Sequence, residues 1–257
     1  VKMKLLIVGA TGRMGETISE LAIDRGHEVV CGVADIPEKQ ESKFAYPIYP
    51  SLDDVDVSCD VLIDFSSPIV FPDIVAWAKA HHVPVVSGTT GFGEKEEALM
   101  KDLSQETAVF HAKNMSLGIA VMERVCTQLA SWLPDFDIEI VEAHHKFKKD
   151  APSGTAIALF DAVKEARPDA VRLDGRSGMG DGRSKDEVGI NSVRGGTIVG
   201  EHEVIFAGED EVLELTHKAG SRRIFANGAL IAAEFVKEQK PGIYDMQDVL
   251  AQGDSDE

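Results

Sequence analysis

The densest run of chemistry-bearing side chains is Ala143-His144-His145-Lys146-Phe147-Lys148-Lys149-Asp150-Ala151-Pro152-Ser153-Gly154-Thr155. A histidine there could titrate near neutral pH, and Lys148 could pair with a carboxylate. Ser153-Gly154-Thr155, opening an amphipathic helix from Ala156, offers donors to an anion. Together these groups suit recognition of a dianion with a proton donor beside it. Taken one at a time they read more plainly, as a solvated basic loop in which Ser153 or Thr155 is only an N-cap.

A second candidate lies at the other end of the chain. Gly9-Ala10-Thr11-Gly12-Arg13-Met14-Gly15 follows a short apolar run and precedes a helical pattern. Glycines at this spacing let backbone N–H groups approach a pyrophosphate and let the helix start close to the strand. The pattern is GxxGxxG, a variant of the stricter GxGxxG, and its context carries the reading. Asp35 stands 20 residues past Gly15, at the end of the next strand, where an acidic side chain would hold a ribose diol. A 2′-phosphate near that carboxylate would meet a repulsion of about 1–4 kcal/mol. Ile36 follows where a basic residue would welcome the phosphate. The expectation is NADH in preference to NADPH, softened if Lys39 or Lys43 swings in.

The elements that must position these groups follow a strand–helix alternation. Lys4–Val8, Glu28–Ala34, Val61–Phe65, Val83–Ser87 and Ala108–His111 read as buried strands, separated by helical patterns at 14–25, 69–80 and 94–103. That alternation argues for a doubly wound parallel sheet. A long helix is expected from Leu117 to Leu133, closed by Pro134. Beyond it Phe136–Glu142 alternates apolar and acidic positions, and 187–193, 197–206 and 211–217 are strand-like. The fold class is therefore α/β: a Rossmann-type domain (1–115 and 226–257) plus an α+β domain (116–225) with an open mixed or antiparallel sheet. A final helix at Arg223–Glu238 is expected to dock on the first domain.

Composition narrows the partners. The chain of 257 residues has a net charge of −18, a balance that repels nucleic acid and anionic membrane. Apolar runs are too short to span a bilayer, and Lys2 and Lys4 lead into a short run ending in glycine rather than a signal peptide. The expectation is a cytoplasmic protein. Cys31, Cys59 and Cys126 are widely spaced with no CxxC, so they read as small buried hydrophobes. His202-Glu203-Val204-Ile205-Phe206 lacks the second histidine of a metalloprotease motif, and no metal is expected.

At this point the motifs resemble those of a known family, the 4-hydroxy-tetrahydrodipicolinate (dihydrodipicolinate) reductases. They are the 9–15 turn, Gly88-Thr89-Thr90-Gly91-Phe92, Ala112-Lys113-Asn114-Met115-Ser116-Leu117-Gly118 and Glu142 through Ala156. Shorter matches are Arg194-Gly195-Gly196, Gly200-Glu201-His202, His217-Lys218-Ala219 and Phe225-Ala226-Asn227-Gly228. The resemblance covers essentially the whole chain, and the 142–156 motif is its most specific part. It implies hydride transfer from NADH or NADPH to a cyclic imine or enamine dicarboxylate, giving tetrahydrodipicolinate in lysine and diaminopimelate biosynthesis. It implies that Gly9, Ala10, Thr11, Gly12, Arg13, Met14 and Asp35 hold the adenosine and pyrophosphate side. Gly88, Thr89, Thr90, Ala112, Lys113, Asn114 and Met115 would line the nicotinamide side. His144 would be the proton donor, with Lys148 as its partner in protonation or carboxylate binding, while His145, Ser153, Gly154 and Thr155 grip the substrate carboxylates. The family implies a homotetramer assembled through its second-domain sheets. Departures are Ile36 and Lys146-Phe147, neither of which removes a proposed catalytic group, and Lys113, which has no explanation in the sequence.

Other readings are weaker. A semialdehyde dehydrogenase would need a nucleophilic cysteine, and Cys126 sits among apolar helix neighbours. A non-enzymatic NAD(H) sensor acting on nucleic acid would need a basic module, which the charge balance does not offer.

Overall fold

The computed structural model describes residues 2–34, 44–180 and 182–253. They form two compact units, one holding the described residues through Ser116 and from Arg222 onward, the other Leu117–Ser221.

The first unit is built on β1 (Lys4–Val8), β2 (Glu28–Val33), β3 (Ile48–Tyr49), β4 (Val61–Asp64), β5 (Val85–Ser87), β6 (Ala108–His111) and, late in the chain, β12 (Gly242–Tyr244). All pairings are parallel, in the order β12-β6-β5-β4-β1-β2-β3. The order reverses between β1 and β4, which is the doubly wound arrangement and its topological switch point. Parallel strands covered on both faces need continuous apolar runs, and Leu5 through Val8 and Val61 through Ile63 are all buried. On one face α2 (Phe71–His81) and α3 (Glu94–Leu103) bring Phe71, Ile74, Trp77, Met100 and Leu103 onto Leu6, Leu62 and Val85. On the other, α1 (Arg13–Asp24) packs with α6 (Arg223–Val236), which lies against β4, β5 and β6. Small residues on α6 permit this: Ala226, Ala229 and Ala233 are fully buried. The helix α7 (Met246–Gly253) follows β12.

In the second unit α4 (Leu117–Trp132) and α5 (Gly154–Ala166) cover a sheet of β7 (Asp137–His144), β8 (Val171–Asp174), β9 (Glu187–Arg194), β10 (Glu201–Ala207) and β11 (Val212–Lys218). The order is β11-β10-β7-β9-β8. Its first two pairings are antiparallel and its last two parallel, so the sheet is mixed. Strands β7 and β10 alternate buried and less buried residues, as a sheet with one covered face requires. Ile138, Ile140, Val204 and Phe206 face Met122, Cys126, Leu159 and Val163 in the core. The sequence expectation of a strand from 197 is shortened, since β10 begins at Glu201. The edge strand β8 and the short β3 and β12 were not expected.

Among the described residues no helix is long and apolar enough to cross a membrane. Cys31 and Cys126 are fully buried, and burial pushes both thiols up to about 12.

Candidate active site

On the covered face of β7 every second residue points inward: Ile138, Ile140, Glu142, His144. The face turns from apolar to polar at Glu142, which is completely buried. Register places His202 of β10 opposite Glu142, and Arg194 of β9 opposite His144. Three neighbouring strands therefore deliver a carboxylate, two imidazoles and a guanidinium to one spot.

The Glu142 carboxylate organises it. Its two oxygens accept from the two terminal nitrogens of Arg194, each at 2.7 Å. Oε2 also accepts from His144 Nδ1 at 2.6 Å, and Oε1 from the Ser153 N–H at 3.1 Å. Burial alone would raise this carboxyl, but hydrogen bonds from Arg194, His144, Ser192 and Ser153 hold it down at about 2. Glu142 thus stays ionised, which assigns the Nδ1 proton to His144 and leaves Nε2 as its outward nitrogen. A Cβ at Gly200 would stand 3.1 Å from that Nε2, so glycine there keeps the approach clear. Burial lowers the His144 pKa, the Glu142 charge opposes this, and the Lys148 and Arg194 charges reinforce it.

The loop after β7 is clasped by the loop after β9. Gly195 N–H donates to the His144 carbonyl at 2.9 Å, Lys146 N–H to the Gly196 carbonyl at 3.3 Å, and Arg194 to the Asp150 carbonyl at 2.7 Å. Lys148 Nζ lies 2.9 Å from Asp150 Oδ2. Among the described residues His145 buries its Nδ1 without a protein hydrogen-bond partner. Ser153 caps α5 by accepting the Ala156 N–H at 3.2 Å, and its hydroxyl also pairs with His202 Nε2 at 3.1 Å. Gly154 and Thr155 open the helix, whose first turn carries no acidic residue, so its positive dipole end is available to an anion. The structure thus brings His144, His145, Lys148, Ser153, Gly154 and Thr155 onto one strand–loop–helix junction.

The sequence reading assigned no role to Glu142, Arg194 or His202. Glu142 did leave a signal: it is a charged residue in phase with the apolar face of β7. Arg194 and His202 stand in short motifs that the sequence shows, but their meeting with Glu142 comes only from cross-strand register.

The glycine turn and two further loops occupy the first unit. Gly9 has φ +80°, and a Cβ there would stand 2.5 Å from the Phe65 carbonyl oxygen. At Gly15 a Cβ would come within 2.3 Å of the Gly9 carbonyl oxygen, so α1 starts directly on the turn. Ala10 is buried, while Gly12 and Arg13 face solvent with Thr11 and Met14 half-buried. This cradle of bare backbone at a helix start, at the switch point, fits a dinucleotide pyrophosphate. Gly88, Thr89 and Thr90 follow β5; Ala112, Lys113, Asn114 and Met115 follow β6. Both loops leave the same carboxyl edge of the sheet as the glycine turn. Met115 is held from behind, since a Cβ at Gly228 of α6 would stand 1.6 Å from the Met115 carbonyl oxygen. Asp35, with Ile36, Lys39 and Lys43, lies outside the described residues. Among the described residues no three His, Cys, Asp or Glu side chains converge as a metal site.

A doubly wound nucleotide-binding unit, joined to a second unit with a carboxylate-held imidazole beside a helix start, defines an NAD(P)H-dependent oxidoreductase. The family models "Dihydrodipicolinate reductase, N-terminus" and "Dihydrodipicolinate reductase, C-terminus" match residues 3–115 and 118–250. The chain belongs to the dihydrodipicolinate reductase family. It is 44% identical to the 4-hydroxy-tetrahydrodipicolinate reductase of Caldanaerobacter subterraneus subsp. tengcongensis, over 98% of this chain and 99% of that one. The enzyme of the same name from Natronomonas pharaonis is 43% identical over 96% of this chain and 100% of its own length. The solved dipicolinate-bound dihydrodipicolinate reductase of Paenisporosarcina sp. TG-14 shares the fold, with TM-score 0.79 at 23% identity over 95% of this chain and 98% of that one.

Proposed function

We propose that this chain reduces 4-hydroxy-tetrahydrodipicolinate, or its dehydrated form dihydrodipicolinate, to tetrahydrodipicolinate, with NADH preferred over NADPH. The observation that carries the reading is the buried Glu142–His144 pair beside the basic loop and the start of α5, in a chain of this family.

The work divides between the units. The 9–14 turn would hold the pyrophosphate, Asp35 the adenosine ribose, and the 88–90 and 112–115 loops the nicotinamide. When bound, the cofactor supplies a hydride. In the second unit Lys148, His145, Ser153, Gly154 and Thr155 hold the two substrate carboxylates. Hydride addition leaves negative charge on the conjugated frame of the substrate, and His144 answers it by releasing the proton on Nε2 to that frame. Glu142 keeps Nδ1 protonated throughout, so the proton moves at Nε2 only.

Charge arriving with the substrate prepares the acid. In the free protein, burial and the Lys148 and Arg194 charges favour neutral His144. A bound dicarboxylate offsets both cations and draws His144 toward its imidazolium form.

Assembly as a homotetramer through the second-unit sheets, in the cytoplasm, belongs to the same proposal. It is supported by the resemblance and by Val193, apolar yet 48% exposed.

The decisive experiment follows NADH absorbance while substrate is generated in place from pyruvate and aspartate semialdehyde by a coupling synthase. Oxidation that requires this protein, and is abolished in His144→Ala/Lys148→Ala, is expected. Folded protein that binds cofactor but turns over neither NADH nor NADPH would move the assignment to another substrate. Comparable kcat/KM for the two cofactors would remove the NADH preference.

A further inference from the structure

Asp64 ends β4 with its side chain fully buried, and the reaction as described gives it no task. Its Oδ1 accepts the Ser66 N–H at 3.0 Å and the Ser66 hydroxyl at 2.5 Å, while Oδ2 accepts the Ser87 hydroxyl at 2.8 Å. The Ser66 N–H is shared with the Thr89 hydroxyl oxygen at 3.1 Å. These donors are all neutral, although buried carboxylates usually take a cation as partner. Burial pushes the Asp64 carboxyl up, with the hydrogen bonds from Ser66, Ser87 and Thr89 opposing. His111 is disfavoured as a compensating cation. Burial lowers its pKa, and its Nδ1 donates to the Ser87 carbonyl at 3.2 Å.

The segment 64–66 also interlocks the loops around it. Gly88 N–H donates to the Asp64 carbonyl at 2.9 Å. The Phe65 ring lies where a Gly88 side chain would be, 2.3 Å from its built Cβ, and the Phe65 carbonyl oxygen closes on Gly9. A shift at Asp64 is therefore felt by both the glycine turn and the 88–90 loop.

We propose that Asp64 is a positioning residue of the cofactor half, fixing the 88–90 loop through Ser66 and Ser87, and that its carboxylate, held ionised by the three donors converging on it, favours the oxidised nicotinamide. The oxidised ring is a cation and the reduced ring is neutral, so a buried anion nearby stabilises the first selectively and assists departure of the hydride. The inference rests on the reading that Gly88–Thr90 line the nicotinamide.

Dissociation constants of the full chain for NADH, by nicotinamide fluorescence, and for NAD⁺, by calorimetry, test it without turnover. In Asp64→Asn the constant for NAD⁺ is expected to rise about tenfold more than that for NADH. In Ser66→Ala and Ser87→Ala, where the charge remains, the two constants are expected to rise together. Equal shifts in Asp64→Asn, or none, would overturn the electrostatic role. If that variant does not fold, unchanged NADH affinity in both serine variants overturns the positioning role. Wild-type protein that binds neither nucleotide would overturn the dinucleotide reading and this proposal with it. Binding of both without turnover of the generated substrate counts against the reaction alone, and the Asp64→Asn ratio still decides.

Discussion

Glu142 Oε2 lies 2.6 Å from His144 Nδ1, two residues along the same strand and on the same covered face. The contact selects the tautomer. A glutamine in its place would present either an amide N–H₂ or an oxygen to Nδ1, so the proton could settle on either ring nitrogen. It would also leave Arg194 without its buried anion. Glu142→Gln is expected to lower kcat by ~10²–10³, within the range of general acid catalysis. NADH affinity, which the proposal assigns to the first unit, should be retained. Fluorescence titration alongside steady-state kinetics checks both halves of this prediction.

The His144 pKa is lowered by burial in the free protein, and the proposed acid is its protonated form. Activity should therefore fall as pH rises, with two different midpoints. In kcat/KM, which reports the free protein, the midpoint should lie below the ordinary histidine value. In kcat, which reports the substrate complex, it should lie higher, because the dicarboxylate offsets Lys148 and Arg194. Coincident midpoints would count against substrate-assisted protonation, and a surviving limb in His144→Ala would count against His144 as the acid.

Lys148 is largely covered, its side chain 22% exposed, and its partner in the free protein is the exposed Asp150. A substrate carboxylate would displace that partner. Lys148→Ala is expected to cost about 3 kcal/mol, about a hundredfold in kcat/KM, with NADH affinity unchanged. A loss confined to NADH affinity would refute the assignment.

Much of this was legible in the sequence, for identifiable reasons. The parallel strands are continuous apolar runs such as Leu5–Val8, and the glycines at 9, 12 and 15 announce a backbone cradle. The basic loop is contiguous, so its composition alone marks it. What escaped is non-local. Arg194 and His202 meet Glu142 only because β9 and β10 flank β7 in one register. Asp64 reads as the polar end of a strand, and nothing in its neighbours discloses that Ser66 and Ser87 both turn their hydroxyls toward it. The edge strand β8 has exposed positions at Val171, Arg172 and Asp174, so it carries no alternating signal.

His202 links acid stability to the site. Burial, followed by the neighbouring His144 charge, lowers its pKa from 6.5 to about 4. The folded form therefore prefers the neutral ring, while the unfolded chain takes up the proton first. Between about 6.5 and about 4 the unfolded state binds more protons, so stability falls as pH falls through that window, by up to about 3 kcal/mol. Below it the contribution is constant. Denaturant titrations at pH 7 and pH 4.5 measure the difference, and it should shrink in His202→Asn. An unchanged difference in that variant would assign the acid sensitivity to other groups.

Gly200 tests the geometry of proton delivery with a single methyl group. Its backbone is held by the Ala219 N–H donating to its carbonyl at 2.9 Å. The three atoms nearest the added Cβ all belong to the His144 ring, with Nε2 at 3.1 Å and Cδ2 at 3.4 Å. The ring must yield by a few tenths of an ångström, yet Glu142 restrains its other edge. Gly200→Ala should therefore fold with a nearly unchanged melting temperature while kcat drops about tenfold, since displaced reacting groups lose rate steeply. A normal kcat would mean that the proton does not travel through Nε2, and the search for the acid would pass to Lys148.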